Sequence, residues 1–132
     1  MLFMERDEIC AHGHLHSHNI FVNLRDMQVL IGDYGLYSLK KFCKIFQEYN
    51  MANNSSAPEV WETQDKSVTF FNRPEVDIYS LGFILWELET GLEPFANETK
   101  EDVRVLLLDK KVRPRIPSST NQNLALLIRR CW

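Results

Sequence analysis

The longest apolar stretch follows Pro74 and reads DIYSLGFILWELETG, in which Ile78, Tyr79, Leu81, Phe83, Ile84, Leu85, Trp86 and Leu88 leave almost no polar face before Gly91. This pattern predicts a helix over about residues 77–90, buried nearly all round and stopped by the glycine. Upstream, IFVN (20–23) and MQVLIGD (27–33) are short segments rich in β-branched residues, separated by a polar turn around Leu24, Arg25 and Asp26. They predict a β-hairpin. Downstream, Thr99 with Asp102 three residues later starts a short helix that ends near Lys110, and Ser119 with Gln122 fits a capping box. Leu124, Leu127, Ile128 and Cys131 then follow at i, i+3, i+4, i+7, so a further helix is expected up to Trp132. From about Tyr34 to Phe71 the pattern weakens, with NNSSAPE mixing turn formers and a proline, and reads as a long surface segment. A loop of that length is unusual unless it has a function.

Composition narrows the class. A chain of 132 residues with 45% hydrophobic and 25% charged residues is read as one globular unit. A formal charge of −3 provides no basic field, which argues against nucleic acid as a partner. Cys10, Cys43 and Cys131 are few and widely spaced, as suits reduced thiols in a cytoplasmic setting. The start, MLFMERDEICAH, has too short an apolar run for a signal peptide, and no segment approaches the roughly 18 to 20 apolar residues of a membrane span. Asn53, Asn54 and Asn97 begin N-x-Ser/Thr triplets, which mean little without a secretory route.

The four histidines, His12, His14, His16 and His18, alternate in HGHLHSHN. In an extended strand they would share one face, which suggests zinc. At about 3.3 Å per residue, however, the outer pair stands roughly 20 Å apart, whereas zinc holds its nitrogens at about 2.0 to 2.1 Å. One ion could take only neighbouring histidines and would need cysteines or carboxylates from elsewhere, so scattered loop histidines are the preferred reading.

GDYGL at the end of the hairpin, SAPEVW about two dozen residues on, the buried DIYSLGFILWELETGLEPF, VRPRIP and LALLIRRCW form an ordered set. Together they resemble the C-terminal lobe of a protein kinase of the tyrosine-kinase-like or tyrosine-kinase branch. Asp33, Tyr34 and Gly35 match its D-F-G motif, Ala57, Pro58 and Glu59 its A-P-E motif, and Asp77 the aspartate that opens its buried helix. The fold class implied is α+β, mainly helical with a short β-hairpin, in a single partial domain over 1–132. Its catalytic loop would be 12–19 and its activation segment 33–59.

Under this resemblance HGHLHSHN stands where the family carries H-R-D-L-x-x-x-N. His12, Leu15 and Asn19 match, while Gly13 replaces the arginine and His14 the aspartate that accepts the substrate proton. His16 takes the place of a phosphate-contacting lysine. Asn19 and Asp33 fill the two positions that would hold the metal of Mg-ATP in a complete domain. An imidazole has neither the charge nor the reach of a carboxylate, and Gly13 cannot pair with a phosphorylated activation segment. Tyr37, Ser38, Tyr49, Ser55 and Ser56 read as ordinary exposed loop hydroxyls. The family's glycine-rich loop and β3 lysine have no counterpart in this sequence, so no Mg-ATP is expected on the isolated segment. The arginine that pairs with the A-P-E glutamate would fall beyond Trp132, leaving Glu59 without it.

These features imply an impaired, pseudokinase-type domain that works through protein partners, in the cytoplasm or on the cytoplasmic side of a larger membrane protein. The alternatives are a fragment of an active divergent kinase acting on Ser, Thr or Tyr, and the kinase-homology region of a receptor or larger signalling protein.

Overall fold

A computed structural model of the chain describes residues 11–34, 52–62 and 73–132. Its elements in order are a 3-10 turn at Ser17–Asn19, strands β1 (Ile20–Asn23) and β2 (Gln28–Ile31), and helices α1 (Pro58–Glu62), α2 (Pro74–Thr90), α3 (Lys100–Leu108) and α4 (Gln122–Cys131). A two-stranded antiparallel hairpin with mainly helical surroundings is the α+β arrangement expected from the sequence.

The hairpin pairs Ile20 with Ile31 and Asn23 with Gln28 around a four-residue turn that places Met27 at φ 57°. Asn23 and Asp26 side chains accept from the Arg25 and Gln28 amides and shape that turn. Both faces stay open to solvent, with Phe21 56%, Val29 60% and Leu30 59% exposed.

Helix α2 begins at Pro74, three residues before the expected Asp77, because a proline at the first position is preset for the helix and leaves no amide unpaired. Glu75 and Asp77 in the first turn complement the positive end of the helix. Gly91, at φ 67°, closes it by donating its amide hydrogen to the Glu87 carbonyl. The expectation of burial all round needs correction. Val76, Tyr79, Phe83, Ile84 and Trp86 are buried, but Ile78 is 50% and Leu88 78% exposed, and Leu81 and Leu85 lie half-buried between them. What packs on a helix sets its burial, and α4 and the 52–62 segment occupy other faces of α2.

The core joins Ala52, Ala57, Val60 and Trp61 to Val76, Tyr79 and Phe83 of α2 and to Val103 and Leu107 of α3. Ala52, Ser55, Ser56, Ala57, Val60 and Trp61 are therefore buried rather than part of a surface loop, and residues 35–51 and 63–71 of the long segment read from the sequence lie outside the described residues. Helix α3 starts with the expected Thr99–Asp102 capping box. Helix α4 does not use Ser119. Asn121 caps it, accepting from the Asn123 and Leu124 amides, since Gln122 is the first helical residue and too early for the box. Its buried face centres on Ala125 and Ile128, and Leu127 of the expected stripe is 47% exposed.

Trp132 packs on Phe83 with ring centroids 5.1 Å apart. A Cβ added at Gly82 would lie 2.6 Å from the Trp132 indole nitrogen and 2.8 Å from the Cys131 Cβ. Ala normally outranks Gly inside a helix by about 1 kcal/mol; here the sign should reverse. Gly82→Ala is expected to destabilise the chain by about 1–3 kcal/mol through overpacking, measured by urea unfolding, and a gain in stability would contradict this packing.

Candidate functional site

Asp77 carries the loop that holds the histidines. Its carboxylate accepts the His12 amide at 2.6 Å and the Gly13 amide at 2.9 Å. Gly13 is buried at φ 73°, a left-handed backbone that favours glycine. From the other side, the His12 ring reaches the Gly32 carbonyl at 2.8 Å. A carbonyl can only accept, so Nε2 bears the proton, and Nδ1 accepts the His14 amide at 3.3 Å. Both ring nitrogens of His12 are thus committed to the protein, which removes it from any histidine metal site. Among the described residues, no group of three or more His, Cys, Asp or Glu is placed to hold a metal.

Asn19 is 2% exposed and braces the same loop. Its amide nitrogen donates to the His14 carbonyl at 2.6 Å, and its oxygen accepts the His16 amide at 3.2 Å. Its own carbonyl accepts the Gly32 amide at 2.7 Å, joining the loop to the far end of the hairpin. The next residue, Asp33, is exposed and sits at φ 58°, a conformation Asp tolerates better than most residues. Asp33 and the loop are electrostatic neighbours, because its charge acts on the His16 ring. His14, Asn19 and Asp33 therefore converge around one backbone framework. Gly35, the third residue of the D-F-G match, lies outside the described residues.

The remaining histidines do not line one strand face, because the chain turns into the 3-10 helix at Ser17. Their rings form a ladder: His14 meets His16 edge-on at 4.6 Å, and His16 meets His18 at 5.8 Å. Burial, then the charge of His18, lowers the His16 pKa; Asp33 offsets part of this and His12 adds to it.

Several hydroxyls differ from expectation. Ser55 and Ser56 are 4% and 7% exposed, so they are interior rather than loop surface, whereas Tyr37, Ser38 and Tyr49 lie outside the described residues. The Ser56 hydroxyl accepts the Asn53 amide, and the Ser55 carbonyl accepts the Ser80 hydroxyl of α2. Ala57 is fully buried, and Glu59 is engaged rather than solitary, its charge also reaching Tyr79.

Sequence reasoning missed Glu87. It lies in a cleft of about 200 Å³ lined by Ser17, His18, Ser55, Glu93 and Lys100, among others. Burial raises its pKa, and hydrogen bonds from the Ser17 and Ser55 side chains lower it in part. Glu87 thus shares a cleft with the histidine loop and with residues 53–55. The available signal was a carboxylate inside an otherwise apolar helix.

A catalytic-loop framework hung on the first turn of a central helix, beside a hairpin that ends in aspartate, defines a protein kinase C-terminal lobe. The protein tyrosine and serine/threonine kinase family matches residues 1–132, and the chain belongs to it. It is 35% identical to the serine/threonine/tyrosine-protein kinase HT1 of Arabidopsis thaliana over 92% of this chain and 29% of that protein. It is 33% identical to the dual specificity protein kinase shkC of Dictyostelium discoideum over 97% of this chain and 25% of that protein. The chain thus spans less than a third of the length of either relative.

Two outcomes test this geometry. Asp77→Ala removes two hydrogen bonds to a charged acceptor, each worth about 1.5–3 kcal/mol, and should cost about 3–6 kcal/mol in denaturant unfolding. A loss below 0.5 kcal/mol would contradict the anchor. The folded His16 binds protons less readily than the unfolded residue, with its usual pKa of 6.5. Its contribution is therefore present above that pH and is lost as pH falls through the lower folded value. His16→Gln should lose less stability than the natural chain between pH 7 and 5, read as the shift in Tm; equal losses would contradict it.

Proposed function

We propose that this chain is part of a kinase-like domain with impaired phosphoryl transfer, acting in the cytoplasm through protein partners. One observation carries the reading: the His12, Gly13, His14 and His16 amides are all hydrogen-bonded, yet the side chain at the general-base position is His14, an imidazole packed edge-on against His16. The loss of a positioned base costs about 10²- to 10⁴-fold in rate, or roughly 3–5 kcal/mol. The neighbouring His16 favours its neutral form, so it brings little charge to a phosphate.

The residues at the nucleotide positions fit a magnesium-bound phosphate in a complete domain. Two hydrogen bonds fix the Asn19 carboxamide and leave its oxygen one lone pair, and the Asp33 carboxylate is exposed. Asn19 and Asp33 would hold Mg-ATP, where the metal supplies charge neutralisation of the phosphates. That supports retained nucleotide binding more than retained turnover. The paired and exposed Phe21 and Leu30 on one face of the hairpin support action by association, since exposed apolar surface can mark an interaction face. Among the described residues no helix is long and apolar enough to cross a membrane.

The test is phosphoryl transfer from Mg-ATP to Ser, Thr and Tyr peptides by the whole natural protein. Slow transfer, raised about 10²-fold or more by His14→Asp, is the expected result. Robust transfer by the unmodified protein, abolished by Asp33→Ala, would establish an active divergent kinase instead.

A further inference from the structure

From Lys110 onward the chain carries Lys110, Lys111, Arg113, Arg115, Arg129 and Arg130 and no Asp or Glu. Within this basic tract the run RPRIPS, residues 113–118, leads from α3 towards α4 and is remote in sequence from the histidine loop. Ser118 has an arginine, Arg115, three positions before it, which is true of no other Ser, Thr or Tyr in the chain.

The local structure singles out the same pair. Residues 111–117 belong to no helix or strand, and Pro114 and Pro117 have no amide hydrogen to give to one. Ser118 and Ser119 form the exposed tip of a turn in which the Thr120 amide donates to the Pro117 carbonyl at 3.2 Å. Thr120 itself is 7% exposed and closed to a modifying enzyme. Arg115 is anchored by its backbone, whose carbonyl accepts the Trp86 indole N–H at 3.0 Å, while its side chain is exposed. The Arg113 guanidinium is committed instead, donating to the Val112 carbonyl at 2.9 Å and lying 5.1 Å from the centre of the Tyr79 ring. An incoming protein therefore meets Arg115 and Ser118 on one anchored segment.

We propose that Ser118 is a phosphorylation site for a separate protein kinase, one whose peptide groove presents carboxylates to Arg115. A guanidinium pairs with a carboxylate through two parallel N–H···O bonds, so an arginine at a fixed spacing from the acceptor sets register as well as affinity. The absence of acidic residues along the tract leaves such a groove nothing to repel. In the transfer, Ser118 Oγ bonds to the γ-phosphorus of ATP held by that kinase, and the bond from this phosphorus to the β,γ-bridging oxygen breaks. ADP leaves, and the hydroxyl proton passes to the kinase's carboxylate base. The product carries about two negative charges among basic residues and ahead of the N-terminus of α4, so the modification suits the fold.

The test uses the whole natural protein, Mg-ATP and a purified serine/threonine kinase that selects arginine three residues before its acceptor. The protein without added kinase is the blank, and a purified kinase that selects acidic neighbours is the comparison. Phosphate on Ser118, located by tandem mass spectrometry, is expected with the first kinase and with neither control. Arg115→Gln should slow the modification about 10-fold or more, as the loss of a charge-assisted pair implies, whereas Ser119→Ala should leave its rate unchanged. Both substitutions alter exposed side chains, and an unchanged urea midpoint checks the fold. No incorporation, incorporation confined to other hydroxyls, equal incorporation in either control, or a rate that Arg115→Gln leaves unchanged would overturn the proposal.

Discussion

Everything at the candidate site hangs on one carboxylate in the first turn of the central helix. Asp77 accepts two consecutive backbone amides of the histidine loop, and a charged acceptor makes such bonds roughly twice as strong as neutral ones. The helix is in turn fixed by Phe83, Val76 and Tyr79 in the core, so the loop inherits the position of the best-packed element. From there the constraint passes outward. His12 ties the loop to Gly32, Asn19 ties it to His14, His16 and Gly32, and Asp33 follows directly. Glu87, further along the same helix, lines one cleft with Ser17 and His18 of the loop and with Ser55.

This arrangement separates shape from chemistry. The bonds that hold the loop come from backbone amides, from Asn19 and from His12, and none requires a particular side chain at position 14. A substitution there leaves these bonds in place. The proposed loss of transfer with retained binding follows from that independence. The lowered pKa of His16 fits the same picture, since burial of that ring favours its neutral form.

The fold was legible wherever a local pattern is decisive. The β-branched segments on either side of Leu24–Met27, the Thr99 box and the glycine after Thr90 each carry their own signal, and the corresponding elements are present. The order of motifs likewise pointed to the family to which the chain belongs. What local pattern could not reveal was depth. Ala52, Ser55, Ser56 and Ala57 look like surface turn formers, yet they lie in the core because α2 and α3 pack over them. Ile78 and Leu88 look like core and are exposed for the converse reason. The partners of Asp77 lie 64 and 65 residues away in sequence, a distance at which spacing carries no information. Glu87 was hidden in the same way.

Native-state hydrogen exchange at the His12 and Gly13 amides tests the account most directly, compared in the natural chain and in His14→Asp. If Asp77 binds this loop to the core independently of the residue at position 14, both amides exchange as slowly as those of Val76 and Phe83 in both proteins. Exchange at the rate of the exposed Leu24–Met27 turn, or protection that depends on the residue at position 14, would contradict it.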